Sequence, residues 1–162
     1  MKFKNLLLVL GLCSVTAPAM ASRGFAGVLL GANSSFDDLG SGLFTYGLEG
    51  AYHLSPEFSV GIYALRNSFD LLGRKAWLLE YGAKGRYHFE KVPGLSAGVF
   101  VAGTQTFVNN DKNSAFGGNS GDWGVVAGYD HVLTSEISVG AEIMVGDLGD
   151  RLSYFGNLKY NF

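Results

Sequence analysis

Leu152-Ser153-Tyr154-Phe155-Gly156-Asn157-Leu158-Lys159-Tyr160-Asn161-Phe162 (LSYFGNLKYNF) is the stretch on which the fold turns. Leu152, Tyr154, Gly156, Leu158, Tyr160 and Phe162 fall on one side of an extended chain. Ser153, Phe155, Asn157, Lys159 and Asn161 fall on the other. One row is apolar and aromatic and the other mostly polar, so period two predicts a strand between two different solvents. Its length is about that of a tilted strand crossing a bilayer. The stretch ends on an aromatic residue with no polar tail, as expected of the closing strand of a membrane barrel.

Composition points the same way. Charged residues are 16% of the 162, against the roughly 25% usual for soluble chains. Hydrophobic residues reach 48%, yet no apolar run long enough for a membrane helix lies beyond the N-terminus. Glycine is abundant (24), proline scarce (3) and aromatics make up 14%, a mixture suited to a narrow lumen and two aromatic interfaces. A net charge of −2 gives no sign of a nucleic-acid partner.

Residues 1–21 read as a signal peptide. Lys2 and Lys4 start it, Leu6 to Leu12 form its apolar middle, and Ala19-Met20-Ala21 supplies the small-x-small cleavage pattern. Leu12 before Cys13 argues against a lipoprotein. The expected mature chain, 22–162, has 141 residues (162 − 21), no cysteine and a formal charge of −4 (10 basic, 14 acidic). It is expected to be one outer-membrane β-barrel domain in an extracytoplasmic compartment, with no disulfide.

Seven further segments repeat the alternation: 25–33, 43–54, 58–66, 76–89, 95–107, 122–132 and 137–145. The sharpest is 76–89, with Trp77, Leu79, Tyr81, Ala83, Gly85, Tyr87 and Phe89 on one face. Leu78, Glu80, Gly82, Lys84, Arg86 and His88 lie on the other. Connections alternate long and short, the long ones at 34–42, 67–75, 108–121 and 146–151. The fold class expected is all-β, an eight-stranded antiparallel up-and-down transmembrane barrel with short periplasmic turns and longer outer loops. There is an internal echo between Tyr52–Gly61 (YHLSPEFSVG) and His131–Gly140 (HVLTSEISVG), both short-end turns entering a strand.

Two aromatic girdles follow from the outward rows. Phe44, Tyr46, Trp77, Trp123 and Tyr154 are placed at the outer end; Tyr52, Tyr87, Phe89, Tyr160 and Phe162 at the inner end. The inward rows collect Glu49, Glu80, Lys84, Arg86, Glu142 and Lys159. Three carboxylates against three cations suggest one mutually neutralising lumen network, with His53, His88 and Asp130 near the short-turn end. A proton or ion path through that network is the alternative reading, because ionisable groups at membrane depth are functional candidates.

Catalysis is poorly supported. His53 with Ser55 is the close His/Ser pair, and a polar turn accounts for it; His88 and His131 have no neighbouring serine of matching parity. Asn109 to Asn113 with Asp147 and Asp150 offers oxygen ligands but no EF-hand pattern, so no metal and no cofactor is expected. Phe69, Leu71, Leu72 and Phe116 are expected to pack on the barrel rim, with an adhesive apolar patch as the alternative.

The leader, the turn Leu54-Ser55-Pro56-Glu57-Phe58-Ser59-Val60-Gly61 and the terminal Leu158-Lys159-Tyr160-Asn161-Phe162 resemble the small eight-stranded outer-membrane barrels of Gram-negative bacteria, OmpA/OmpX-like and porin-related. The resemblance implies outer-membrane location after export through the periplasm. It also implies contact with outer-membrane lipid and lipopolysaccharide, a monomeric barrel, and recognition of Tyr160 and Phe162 by the barrel-assembly machinery. Similarity to the deacylase barrels fails where their His-x-Ser is followed by a Glu: Asn67 stands there. The function expected is a structural or surface-interaction role without turnover, with a small pore as the alternative. A soluble lipocalin-like barrel is the third possibility.

Overall fold

A computed structural model describes residues 24–35, 43–71, 74–110, 113–146 and 151–162, with eight strands and no helix among them. They are β1 (Gly24–Ser35), β2 (Leu43–His53), β3 (Phe58–Leu71), β4 (Arg74–His88), β5 (Leu95–Asn110), β6 (Asn113–Val132), β7 (Ile137–Gly146) and β8 (Arg151–Asn161). Each pairs antiparallel with its neighbours in sequence, and β1 pairs with β8, so the sheet closes. The signal-peptide reading, the loop 36–42, Leu72, and Asp147 and Asp150 lie outside the described residues. So do the side chains of Phe69, Leu71, Phe116 and Asn109 to Asn113.

Parity is kept on every strand. Leu30, Leu48, Ile62, Val99, Val125, Ile143 and Leu158 stand exposed on the outer surface, while Leu29, Glu49, Tyr63, Phe100, Val126, Glu142 and Lys159 are buried inside. An apolar outer face of that extent is tolerable only in lipid.

The register fixes the barrel's geometry. Stepping from Gly24 to Tyr52, Val60, Gly85, Val99, Val125, Val145 and Leu152 returns to β1 at Ser34, ten residues on (34 − 24). Ten steps of about 3.3 Å over eight strand spacings of about 4.8 Å give a strand tilt of about 40°. Each residue along a strand therefore climbs about 2.5 Å of barrel axis.

Two expected loops are strand instead. β3 runs on to Leu71 and β4 begins at Arg74, within the span expected as the loop 67–75. β5 and β6 likewise pair to Asn110 and Asn113, across most of the span 108–121, with a register shift between Gln105 and Phe107. β3 to β6 have 14, 15, 16 and 20 residues, against 10 to 12 in the other four, so one side of the barrel rises as a wall above its rim. Above the bilayer both faces of a strand meet water, and the polar/apolar alternation that reveals a spanning strand is lost.

The short turns explain the internal echo. Leu54 N and Ser55 N both reach Phe58 O, and Leu133 N and Thr134 N both reach Ile137 O. Ser55 Oγ accepts from Phe58 N at 3.2 Å, and Thr134 Oγ1 from Ile137 N at 3.0 Å. The repeated sequence is a repeated turn, capped by a hydroxyl in each copy. Ser55 Oγ also donates to Glu57 at 2.7 Å and holds that carboxyl below the ordinary carboxylate range. The β4–β5 turn needs Gly94, whose φ is +88°.

Inside, Gly98 lies opposite Arg86. A Cβ there would press on the Gly85 carbonyl oxygen and stand 2.8 Å from Arg86 Cα. Backbone meets backbone, so β5 would have to move away from β4. Gly98→Val is expected to lower stability by about 2–3 kcal/mol, read from the urea unfolding midpoint in lipid vesicles. An unchanged midpoint would show that the strands can part without cost.

Candidate functional site

The lumen is stacked in three layers. Nearest the short turns, Lys84 contacts Glu49 (3.3 Å) and Glu142, and Arg86 contacts Glu49 (3.1 Å) and Glu142. Lys159 joins them through Asp130, at 2.8 Å and 3.0 Å to its two oxygens. Lys159 Nζ also lies 3.4 Å from Glu49 Oε1, close enough for charge attraction though not a hydrogen bond. These groups come from β2, β4, β6, β7 and β8, and alternation brings all of them inward. Glu142 is 1% exposed and Lys159 2%, so the pairs are shielded from water and neutralise one another three against three.

Above this lies an apolar belt of Leu29, Tyr63, Leu65, Phe100, Val126, Met144 and Phe155, each 4% exposed or less. Tyr63 and Phe100 meet edge to face, with centroids 6.4 Å apart. Lys84 Nζ sits 4.5 Å from the centroid of the Tyr63 ring, which therefore roofs the lower cluster.

Above the belt is a second cluster. Arg151 binds both oxygens of Glu80, one at 3.2 Å, and pairs with Asp122. Tyr63 Oη donates to Glu80 at 2.8 Å from below. Arg151 Cζ is 5.6 Å from the centroid of Phe100.

This corrects the single network expected from the sequence. Glu80 belongs to the upper cluster, and Asp130 takes its place in the lower one. Arg151, read from sequence as loop, opens β8 and reaches inward. Parity tells which residues face inward. It does not give their heights, which depend on a tilt of about 40°. Both clusters receive a cation from β8: Lys159 below and Arg151 above.

At the short-turn mouth a cavity of about 490 Å³ is lined by residues that include Phe25, His53, His88, Asp130, Lys159 and Asn161. The His53 and His88 ring centroids are 4.8 Å apart. Contrary to the sequence expectation, His88 does have a serine: Ser59 Oγ lies 2.8 Å from His88 Nε2. The pairing runs across strands β3 and β4, invisible to a search along one strand. Ser59 is 2% exposed and is not among the residues lining this cavity, whereas His88 is. No group of three or more metal-ligating residues occurs among the described residues.

On the outer face, Tyr52, Tyr87, Phe89, Tyr160 and Phe162 gather near the short turns, and Phe44, Tyr46, Trp123 and Tyr154 near the opposite rim. Trp77 is placed differently. It pairs with Phe107, whereas Trp123 pairs with Val101, six residues lower on β5. With tilt counted, Trp77 stands about 9 Å above Trp123, at the foot of the wall, and stacks on Phe107 at 3.8 Å.

A closed eight-stranded barrel with a lipid-facing apolar surface and a filled lumen agrees with the sequence families. The outer membrane protein beta-barrel domain model matches residues 6–162. The chain belongs to that family. No curated protein sequence matches it. Among solved structures, Neisserial surface protein A is 16% identical, with 90% of this chain and 100% of that chain covered at a TM-score of 0.71. Ail, the attachment invasion locus protein of Yersinia pestis, is 10% identical over 88% and 100%, with a TM-score of 0.60. The N-terminal β-barrel domain of Pseudomonas aeruginosa OprF is 15% identical over 88% and 100%, with a TM-score of 0.52. At these identities the likeness is one of fold, and it agrees with the eight-stranded barrel the alternation predicts.

Proposed function

We propose that this outer-membrane barrel is a closed, non-catalytic protein that acts through its outer surface, as a structural element or as a platform for surface interaction. One observation carries this reading: the belt of Leu29, Tyr63, Leu65, Phe100, Val126, Met144 and Phe155 fills the lumen between two neutralised charge clusters. An ion crossing there would have to displace packed side chains and break buried pairs, at a cost of several kcal/mol. The wall formed by β3 to β6 is the natural surface for interaction. Residues 1–21 serve as the leader removed on export. The mature barrel is monomeric, is delivered to the assembly machinery by Tyr160 and Phe162, and sits among outer-membrane lipid and lipopolysaccharide.

Planar-bilayer recording on the refolded chain 22–162 tests the closed state. The expected result is a bilayer without steady single-channel currents while the protein stays folded by its gel shift. Resolved currents altered by Arg86→Gln or Glu80→Gln would instead establish a small pore.

A further inference from the structure

We propose that His53 and His88 form a binding site for a borderline divalent transition-metal ion, of the class of Zn²⁺ and Cu²⁺, at the short-turn mouth of the lumen. The two residues end β2 and β4, with β3 between them. Their backbones therefore stand about 10 Å apart, two strand spacings. Barrel curvature turns both side chains toward the axis, and the ring centroids close to 4.8 Å. Two imidazoles at adjacent positions of one such ion, each bound through nitrogen at about 2.1 Å, hold their ring centres roughly 5 Å apart. Both rings line the cavity of about 490 Å³. That volume has room for the ion and for its remaining waters, at about 30 Å³ each.

The surroundings prepare His88 as a ligand. Ser59 Oγ lies 2.8 Å from His88 Nε2 and leaves Nδ1 as the nitrogen to bind. A metal-bound imidazole is neutral, so its Nε2 proton goes to Ser59, the kind of outer-shell bond that orients a ligating histidine. The backbone is fixed as well, with His88 N donating to Glu57 O at 2.7 Å. The neighbouring cations are already neutralised, Arg86 by Glu49 and Glu142 and Lys159 by Asp130. Asp130 lines the same cavity with its side chain 20% exposed, placed to accept a hydrogen bond from a metal-bound water. Among the described residues no third ligating side chain joins the pair. Water therefore completes the coordination, and the site is open and exchangeable, unlike the closed four-ligand sites that hold zinc for structure. The acidic outer loops gave no reason to expect a metal. The opposite mouth supplies the imidazoles that suit such an ion.

The inference is independent of the role proposed for the outer surface. Its test titrates the refolded chain 22–162, free of any affinity tag and held in phosphatidylcholine nanodiscs, with ZnCl₂ in a calorimeter. One Zn²⁺ per barrel is expected. Ser59→Ala should weaken binding about tenfold, the loss typical of an outer-shell partner, and His53→Ala and His88→Ala should each weaken it more. His131, the third histidine of the chain, is exposed outside the lumen, so His131→Ala should bind as wild type does. Unfolding midpoints in EDTA check that each variant folds. Spin-echo spectroscopy of wild type loaded with one Cu²⁺ needs no variant and should count two imidazoles. A count of one, or equal Zn²⁺ affinity in wild type and either His53→Ala or His88→Ala, overturns the site. Loss of binding in His131→Ala overturns it too, by moving the ion to the outer surface.

Discussion

Glu142→Ala will cost the folded barrel about 3–5 kcal/mol, because it leaves two buried cations facing one remaining carboxylate. Glu142 contacts both Lys84 and Arg86, and its side chain has no exposure. After the change Glu49 alone stands against the pair, and Lys159 keeps Asp130. Little water reaches the surplus charge: the apolar belt closes the cluster above, and the side chains of Lys84 and Arg86 are each only 4% exposed even though the mouth cavity reaches Asp130 and Lys159 below. Urea titration in lipid vesicles, followed by the gel shift between folded and unfolded forms, measures the loss. A second substitution separates charge from packing. Lys84→Met added to Glu142→Ala restores two cations against two carboxylates and should recover most of the stability. A loss below about 1 kcal/mol for Glu142→Ala, the range of exposed pairs, would mean that water reaches the cluster.

The second large effect is cellular. Phe162→Asp is expected to lower the outer-membrane amount of the protein severalfold. Phe162 exchanges two backbone hydrogen bonds with Gly24, at 2.9 Å and 3.1 Å, and so forms the last rung of the closing seam. Its ring lies over Gly24, where an added Cβ would be 2.7 Å from Phe162 Cε2. The rung itself is backbone and survives the substitution. Refolding of purified Phe162→Asp into vesicles should therefore reach the same end state as wild type, while delivery in cells falls. Phe162→Trp should restore delivery. Wild-type outer-membrane levels of Phe162→Asp, measured by immunoblot of fractionated membranes, would remove Phe162 from the assembly signal. Failure of the refolding arm would assign it to the seam instead.

The spanning parts of the barrel were legible because lipid and lumen impose opposite demands on alternate residues. β2, β4 and β8 show it plainly: Phe44/Thr45, Tyr81/Glu80 and Leu158/Lys159 alternate without a break. Even β1, with glycine at half of one face, keeps Val28 and Leu30 outward and Leu29 inward. Legibility stopped where the solvent became the same on both faces, so the tops of β3 to β6 read as loops. It stopped again at heights. Glu80 and Lys84 are four residues apart on one face and look like members of one network. Tyr63 and Phe100 from neighbouring strands come between them, and only the ten-residue stagger reveals this. Arg151 was hidden for the same reason, 71 positions from its partner Glu80.

The dependence of both charge clusters on β8 makes the last strand a proofreader of its own docking. Before it arrives, the five lumen carboxylates paired among the described residues, Glu49, Glu80, Asp122, Asp130 and Glu142, face the two cations Lys84 and Arg86, a surplus of three negative charges (5 − 2). Lys159 and Arg151 remove two of these at once, from opposite ends of the strand. A slip by two residues would preserve every inward and outward face and so pass any test based on hydrophobicity alone. It would also carry both ammonium and guanidinium about 7 Å away from their carboxylates. Charge thus discriminates between registers that greasiness treats as equal, and the seam locks in one of them.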